Sequence, residues 1–291
     1  MPPQFSIRPL EAGDIPRVTD WARSEGFCPG EGDVAIYRQT DRQGLWVGWL
    51  EEKPIGCIAG VRYSQSYGFV GLFLVKPEHR GRGFGVQLWR HALKHLEDVG
   101  CVGLEAAPDR IDDYAGWGFQ SASATTRWQL NSRGIQSGSP HAGQLTLVDA
   151  TTLAEGMIQA YDASREPSPR PHFLRDWLHH PAGTVLALVD GERQCHGFGR
   201  IRPCLLQAGT GWRIGPLLAD DADLAEQLLL GLLERHRGVV LLDGPGANPA
   251  AGSLLRRLGF APISETLRMY RGTQPQVSLA DVYGLACLEL G

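Results

Sequence analysis

Close cysteine pairs, long apolar runs and a basic stripe are all missing from this chain of 291 residues. The cysteines (Cys28, Cys57, Cys101, Cys195, Cys204, Cys287) contain no Cys-x-x-Cys, and several sit inside apolar runs, as buried free thiols do. That pattern sets disulfide scaffolds aside and points to a reducing, cytoplasmic setting. No apolar run approaches the roughly 20 residues that cross a bilayer, and the first residues lack the charged start and apolar centre of a signal peptide. The expectation is a soluble protein with no membrane partner. Acids and bases interleave to a net charge of -4, so nucleic acid is not an expected partner, while a small molecule, weakly favoured if cationic, stays open. No spacing of His, Cys and acid suggests a metal.

What is present repeats. Gly56 and Gly197 each follow a charged turn after an apolar strand, and Gly118-Phe119 and Gly259-Phe260 recur at the same offset of 141 residues. Between these anchors each half carries an apolar strand, a helix-period stretch (87–96; 224–233) and another apolar strand (102–106; 239–242). Strands alternating with helices in this way predict mixed α/β layers. The length suits two conventional cores, and the Gly-, Ser- and Pro-rich stretch 131–143 reads as their connector.

The most informative segment runs from Gly68 through Val75-Lys76-Pro77 to Arg80-Gly81-Arg82-Gly83-Phe84-Gly85. Pro77 ends a strand, and the glycines leave main-chain N–H groups uncovered at the start of a helix, whose dipole end adds roughly half a positive charge. Together they form an anion cradle suited to a diphosphate, with Arg80 and Arg82 able to add charge-assisted bonds. The bland alternative is a glycine-rich turn that packs a helix tightly on a strand. A dinucleotide fingerprint would need a glycine where Arg80 stands, and no Gly-Lys-Ser/Thr is present for a P-loop.

Arg80, Gly83 and Gly85 after a Val-x-Pro turn, followed by Tyr114-x-x-x-Gly118-Phe119, resemble the GNAT-type N-acetyltransferase superfamily. The likeness extends to a bacterial subgroup with a duplicated fold through Trp21-Ala22-x-x-Glu25-Gly26, Pro29-Gly30, Pro167-Ser168-Pro169-Arg170, Ile214-Gly215-Pro216-Leu217 and Arg268-Met269-Tyr270. It implies an α/β (α+β) fold of two tandem acyl-CoA N-acyltransferase-like domains, each a mixed, mostly antiparallel twisted sheet flanked by helices. It implies a catalytic domain over residues 1–134, a linker over 135–143, a degenerate copy over 144–273, and a segment 274–291 docked on the body. Acetyl-CoA is the implied co-substrate, with Phe73, Leu74 and Val75 holding its pantetheine arm and Gly81, Arg82, Gly83, Phe84, Gly85 and Val86 its diphosphate. Two departures stand out: Ala107 replaces an asparagine common seven residues before the tyrosine, and no acid lies in 69–75 to serve as base. In the second half, Asp220, Asp223 and Ala225 take the places of Arg80, Gly83 and Gly85, and Leu255 replaces the tyrosine; only Asn248 retains a family-like feature. The second copy is expected to be architectural, a wall of the substrate pocket.

Acetyl transfer to an amine of pKa about 10.4 needs a base, an oxyanion donor and an acid for the leaving thiol of pKa about 8.5. Tyr114 is the expected acid, although a helix-end tyrosine packed on the core is common. For the base, Glu25, Asp33 and Glu105 compete. Glu105 lies near a strand end, where a desolvated carboxylate would be a stronger base. Glu25 and Asp33 flank the Gly/Pro-rich loop 26–32, a natural place for substrate. Trp21 and Glu25 share a helix face that would suit a cationic amine. Arg170, in a proline-fixed segment, could anchor a carboxylate; His179 and His180 read as helix caps. The expected reaction is acetylation of a small-molecule primary amine, with protein amines as a less favoured acceptor. The rivals are a non-catalytic acetyl-CoA sensor and, last, a nicotinamide-dependent oxidoreductase. A monomer fits a duplication that satisfies its own interface, and an oligomer stays open.

Overall fold

A computed structural model describes residues 4–134, 145–234 and 236–291; the linker expected at 135–143 lies outside them. The first copy runs β1 (Phe5–Pro9), α1 (Ile15–Ser24), α2 (Asp33–Thr40), β2 (Leu45–Leu50), β3 (Lys53–Arg62), β4 (Tyr67–Val75), α3 (Phe84–His95), β5 (Cys101–Ala106), α4 (Ile111–Ala115) and β6 (Gln120–Arg133). The second runs β7 (Thr146–Asp149), α5 (Glu155–Ala163), α6 (Pro171–His179), β8 (Thr184–Val189), β9 (Cys195–Leu205), β10 (Thr210–Ala219), α7 (Ala222–Leu233), β11 (Arg237–Pro245), α8 (Pro249–Arg257) and β12 (Ala261–Gly272), and a short β13 (Val282–Gly284) follows.

The repeat read from the sequence is a repeat of packing. Helix α3 buries Leu88, Trp89, Ala92 and Leu93, and α7 buries Leu228, Leu229, Leu232 and Leu233 at the same spacing, each on the same face of its copy's strands. Gly118 and Gly259 both leave their helices with positive φ, 86° and 85°, a left-handed exit that a Cβ would strain.

The copies do not keep separate sheets. The strand order is β1-β2-β3-β4-β5-β12-β6-β11-β10-β9-β8-β7, so β12 of the second copy pairs with β5 of the first, β6 of the first pairs with β11 of the second, and the two exchanged strands pair with each other. Each copy thus supplies the strand that completes the other. The core crosses the boundary as well: Phe173 and Trp177 of α6 and Ala286, Cys287 and Leu290 pack with Val18, Val34, Tyr37 and Leu72 of the first copy. All six cysteines are free thiols, and no helix among the described residues is long and apolar enough to cross a membrane.

Candidate active site

Strand β4 carries one extra residue against β3 between Gly71 and Leu74, with Leu72 at φ 45°, so the strand bulges there. On its other edge β4 pairs in parallel with β5 only from Tyr67 to Val70. Beyond Val70 the two strands part, and the β4 main chain through Phe73, Leu74 and Val75 has no strand partner on that side. An unpaired edge offers alternating N–H and C=O groups to an extended amide-bearing ligand.

Helix α3 starts just past the end of that edge. Its N-cap is Gly83 at φ 81°, no side chain caps it, and the first main-chain bond back into the turn is donated by Gln87 N to Gly83 O. The N–H groups of Phe84, Gly85 and Val86 precede that bond and have no intrahelical acceptor. A Cβ at Gly81 or Gly83 would meet nothing within 4 Å, so the loop is open to solvent, and the positive φ of both residues favours glycine. Val86 lies 44% exposed beside it. Uncapped donors at a positive dipole end, with no side chain over them, fit a diphosphate. Arg82 is exposed, its guanidinium over the Phe84 ring. Arg80 donates from Nε to Val75 O at 2.7 Å and from Nη2 to Glu25 Oε1 at 2.5 Å.

Glu25 thus stands at the C-terminal end of α1 against the cradle, its side chain 30% exposed. Trp21, one turn earlier, is half-buried against the core between the α1–α2 pair and the sheet, so its ring is largely committed to packing. Tyr114 leans on Trp89 of α3 at 5.1 Å between ring centroids, and Trp89 in turn lies 5.8 Å from Phe73 of the bulged strand. Burial pushes its phenol up to about 12, which keeps it protonated at neutral pH.

Three expected site residues are placed elsewhere. Asp33 is fully buried at the start of α2, both oxygens taken by Arg202 Nε and Nη2 at 2.8 Å each, so it is a structural anion and not a loop acid facing substrate. Arg170 is buried among Asp162, Glu166 and the main-chain oxygen of Gly291, leaving no fork for a ligand carboxylate. Glu105 is not a lone desolvated carboxylate: it accepts from Arg268 Nε at 2.7 Å, Thr266 Oγ1 at 2.7 Å and Thr125 Oγ1 at 3.1 Å. Both of its oxygens are engaged across the exchanged strands by an arginine and two threonines, so it is a bonded anion of the sheet and not a lone base. Asn248 is likewise not a vestige of a ligand site. Its Oδ1 caps α8 and its Nδ2 donates to Ala280 O and Val282 O, holding β13 in place.

The sequence reading missed a set of buried charges behind the loop 26–32. Arg127 of β6 donates to Asp243 at 2.7 and 3.0 Å, Arg213 of β10 donates to Asp243 at 2.9 Å and to Glu289 at 3.2 Å, and Tyr37 donates to Glu289 at 3.2 Å. It also missed Glu166, paired to Arg170 at 2.7 Å, whose carboxyl burial pushes up to about 7 against the pull of that arginine. The signal was available for Arg127, Arg213 and Asp243, charged residues inside strands that otherwise read as apolar, but strand period alone does not say what faces them, and Glu166 and Glu289 lie outside the strands.

Residues 15–119 match the Acetyltransferase (GNAT) family, and residues 158–284 match a second family of the same kind, the Acetyltransferase (GNAT) domain. The chain belongs to the GNAT superfamily, as a tandem of two such domains. Holothin acyltransferase from Pseudoalteromonas sp. (strain SANK 73390) is 29% identical over 99% of this chain and 95% of its own length. A solved structure of a Pyrococcus horikoshii protein has the same fold, with TM-score 0.80 at 20% identity over 99% of this chain and 96% of that one. So does a tandem GNAT protein from the clavulanic acid biosynthesis pathway, with TM-score 0.65 at 16% identity over 94% and 100% of the two chains. Acyl transfer is the class of reaction to which this tandem GNAT chain belongs. Among the described residues no group of His, Cys, Asp and Glu is arranged to hold a metal ion.

Proposed function

We propose that the first copy transfers the acetyl group of acetyl-CoA to a primary amine of a small molecule by direct attack. The observation that carries this reading is the meeting of an unpaired strand edge, Phe73 to Val75, with the uncapped N-terminus of α3. The N–H groups of Phe84, Gly85 and Val86, helped by the open turn at Gly81 and Gly83, hold the diphosphate. The β4 edge aligns the pantetheine amides, and a main-chain N–H near Val75 stabilises negative charge on the acyl oxygen. Bound there, acetyl-CoA supplies a thioester whose acyl carbon is open to an amine. Tyr114, protonated at neutral pH, returns a proton to the leaving sulfur. Of the three acids weighed as base, Glu25 alone keeps a partly exposed carboxylate beside the cradle: one oxygen accepts from Arg80, and the other attracts a cationic amine and accepts its proton directly or through water. The relative named holothin acyltransferase supports acyl transfer as the reaction.

The test is free-thiol release from acetyl-CoA over a panel of polyamines, amino acids, aminoglycosides and short peptides. One amine class should turn over in the wild type, and Tyr114→Phe should lower kcat about 100-fold with donor affinity unchanged. Tight acetyl-CoA binding with no turnover on any amine would replace this reading with that of a sensor.

A further inference from the structure

The acceptor-side loop, residues 25–33, is irregular. Gly26, Cys28 and Gly32 have positive φ; the N–H groups of Glu25, Gly26 and Phe27 bond back to α1, and that of Asp33 bonds to Gly30 O. The carbonyls of Gly26 to Pro29 and the N–H of Glu31 find partners in the second copy and in β6, the strand that pairs with the second copy's β11. Leu205 N donates to Pro29 O and Glu31 N to Pro203 O, each at 2.9 Å, laying the loop against the end of β9. Arg213 Nη1 donates to Phe27 O at 3.2 Å and Cys28 O at 3.4 Å, and Arg127 Nη1 to Gly26 O at 3.3 Å. Both guanidiniums are almost wholly buried and are locked from behind by Asp243, and Arg213 also by Glu289. Burying such ion pairs costs several kcal/mol per ion in desolvation and on balance adds little stability compared with an apolar core of the same volume. What the arrangement provides is geometry: planar forks, fixed by carboxylates, pointed at the carbonyls that directly follow Glu25.

We infer that Arg213 of the second copy and Arg127 of the exchanged strand β6, both locked by the second copy's Asp243 and Arg213 also by Glu289, are positioning residues that hold Glu25 and the loop after it at the acceptor side of the first copy's site. This rests on the acetyltransferase reading above. It gives the second copy, which lacks a cradle of its own, a part in the acceptor step without touching the donor.

Arg213→Lys keeps the charge for Asp243 and Glu289 but loses the fork; Glu289→Gln is the milder variant should the first fail to fold. In either, hydrogen exchange should quicken in residues 25–33 and stay unchanged in 80–86. The acceptor KM should rise about tenfold or more, as expected for a misplaced substrate contact, while donor KM and acetyl-CoA affinity hold. Restoring the lock, as Glu289→Asp does in part, should bring acceptor KM back towards wild type. Unchanged exchange in 25–33, or loosened exchange with acceptor and donor KM moving together, overturns the inference. A wild type that turns over no amine would instead sink the acetyltransferase reading, and the exchange rates would still decide whether the second copy holds the loop.

Discussion

Helix α3 begins at an uncapped Gly83, and α7, its counterpart in the second copy, begins at Asp221, whose carboxylate accepts from Leu224 N at 2.9 Å. The two helices bury residues at the same spacing and cover the same face of their strands, so the difference is confined to the N-terminal turn. In the first copy the orphan donors face open space. In the second they meet a carboxylate, with Asp223 adding charge in the first turn and Asp220 taken by Tyr161, Arg165 and His196. The neighbouring clefts differ in the same sense. Strands β10 and β11 pair in parallel from Trp212 to Ile214 and then part, as β4 and β5 do. Strand β13 fills the second gap: Leu217 pairs with Gly284, Leu218 with Val282, and Leu285 N donates to Asp243 O. One fold therefore supports two outcomes, and what decides between them is whether the donors at the helix end and strand edge are already satisfied from within the chain.

That contrast can be broken most severely at Gly83. Gly83→Val forces a β-branched residue into a left-handed N-cap and covers the donors; losing one or two charge-assisted bonds worth about 1.5–3 kcal/mol each should weaken acetyl-CoA binding about 100-fold. Calorimetry should find one acetyl-CoA per chain in the wild type, and Asp221→Gly should add no second site, because β13 still occupies the other cleft. A second equivalent bound by Asp221→Gly would show that the cap, not the inserted strand, silences that copy.

A smaller effect sharpens the same point. Asp221→Ala removes a capping carboxylate from α7 and should cost about 1 kcal/mol in thermal or denaturant unfolding with kcat unchanged. A loss of donor affinity in this variant would contradict the division of labour.

The smallest effect concerns the α5–α6 connection. Burial holds the Glu166 carboxyl up at about 7 in the folded chain, above its ordinary 4.5, so folding favours its protonated form. That contribution is complete below about pH 4.5 and is lost as pH rises towards 7. Glu166→Gln lacks this titration. The wild-type melting temperature should therefore fall relative to the variant across that window and run parallel to it at higher pH. A constant difference throughout would mean that Arg170 keeps Glu166 ionised.

The cradle was legible because its chemistry is local. Gly81, Gly83 and Gly85 at a strand-to-helix junction need no distant partner to expose N–H groups, and Tyr114-x-x-x-Gly118-Phe119 is set by one helical turn and a left-handed exit. The repeat was legible for a similar reason, since matching glycines and helix faces recur at a fixed offset. Asp33, Glu105 and Arg170 were misjudged because each owes its role to a residue far along the chain: Arg202, Arg268 and Asp162 with Gly291, respectively. A carboxylate that would be a base when alone is a structural anion once an arginine from another strand reaches it.

By itself, then, the sequence determined two GNAT-type copies, an open glycine turn before α3 in the first and an acid-capped start of α7 in the second, because helix period, glycine conformation and helix capping are short-range properties. Only the tertiary structure decided that the copies exchange β6 and β12, that residues 282–284 close the second cleft, and that Arg127 and Arg213 grip the loop after Glu25. Each of these is a pairing between segments distant in sequence, where any unsatisfied strand edge or buried charge could accept several partners and the packing of the whole chain selects one.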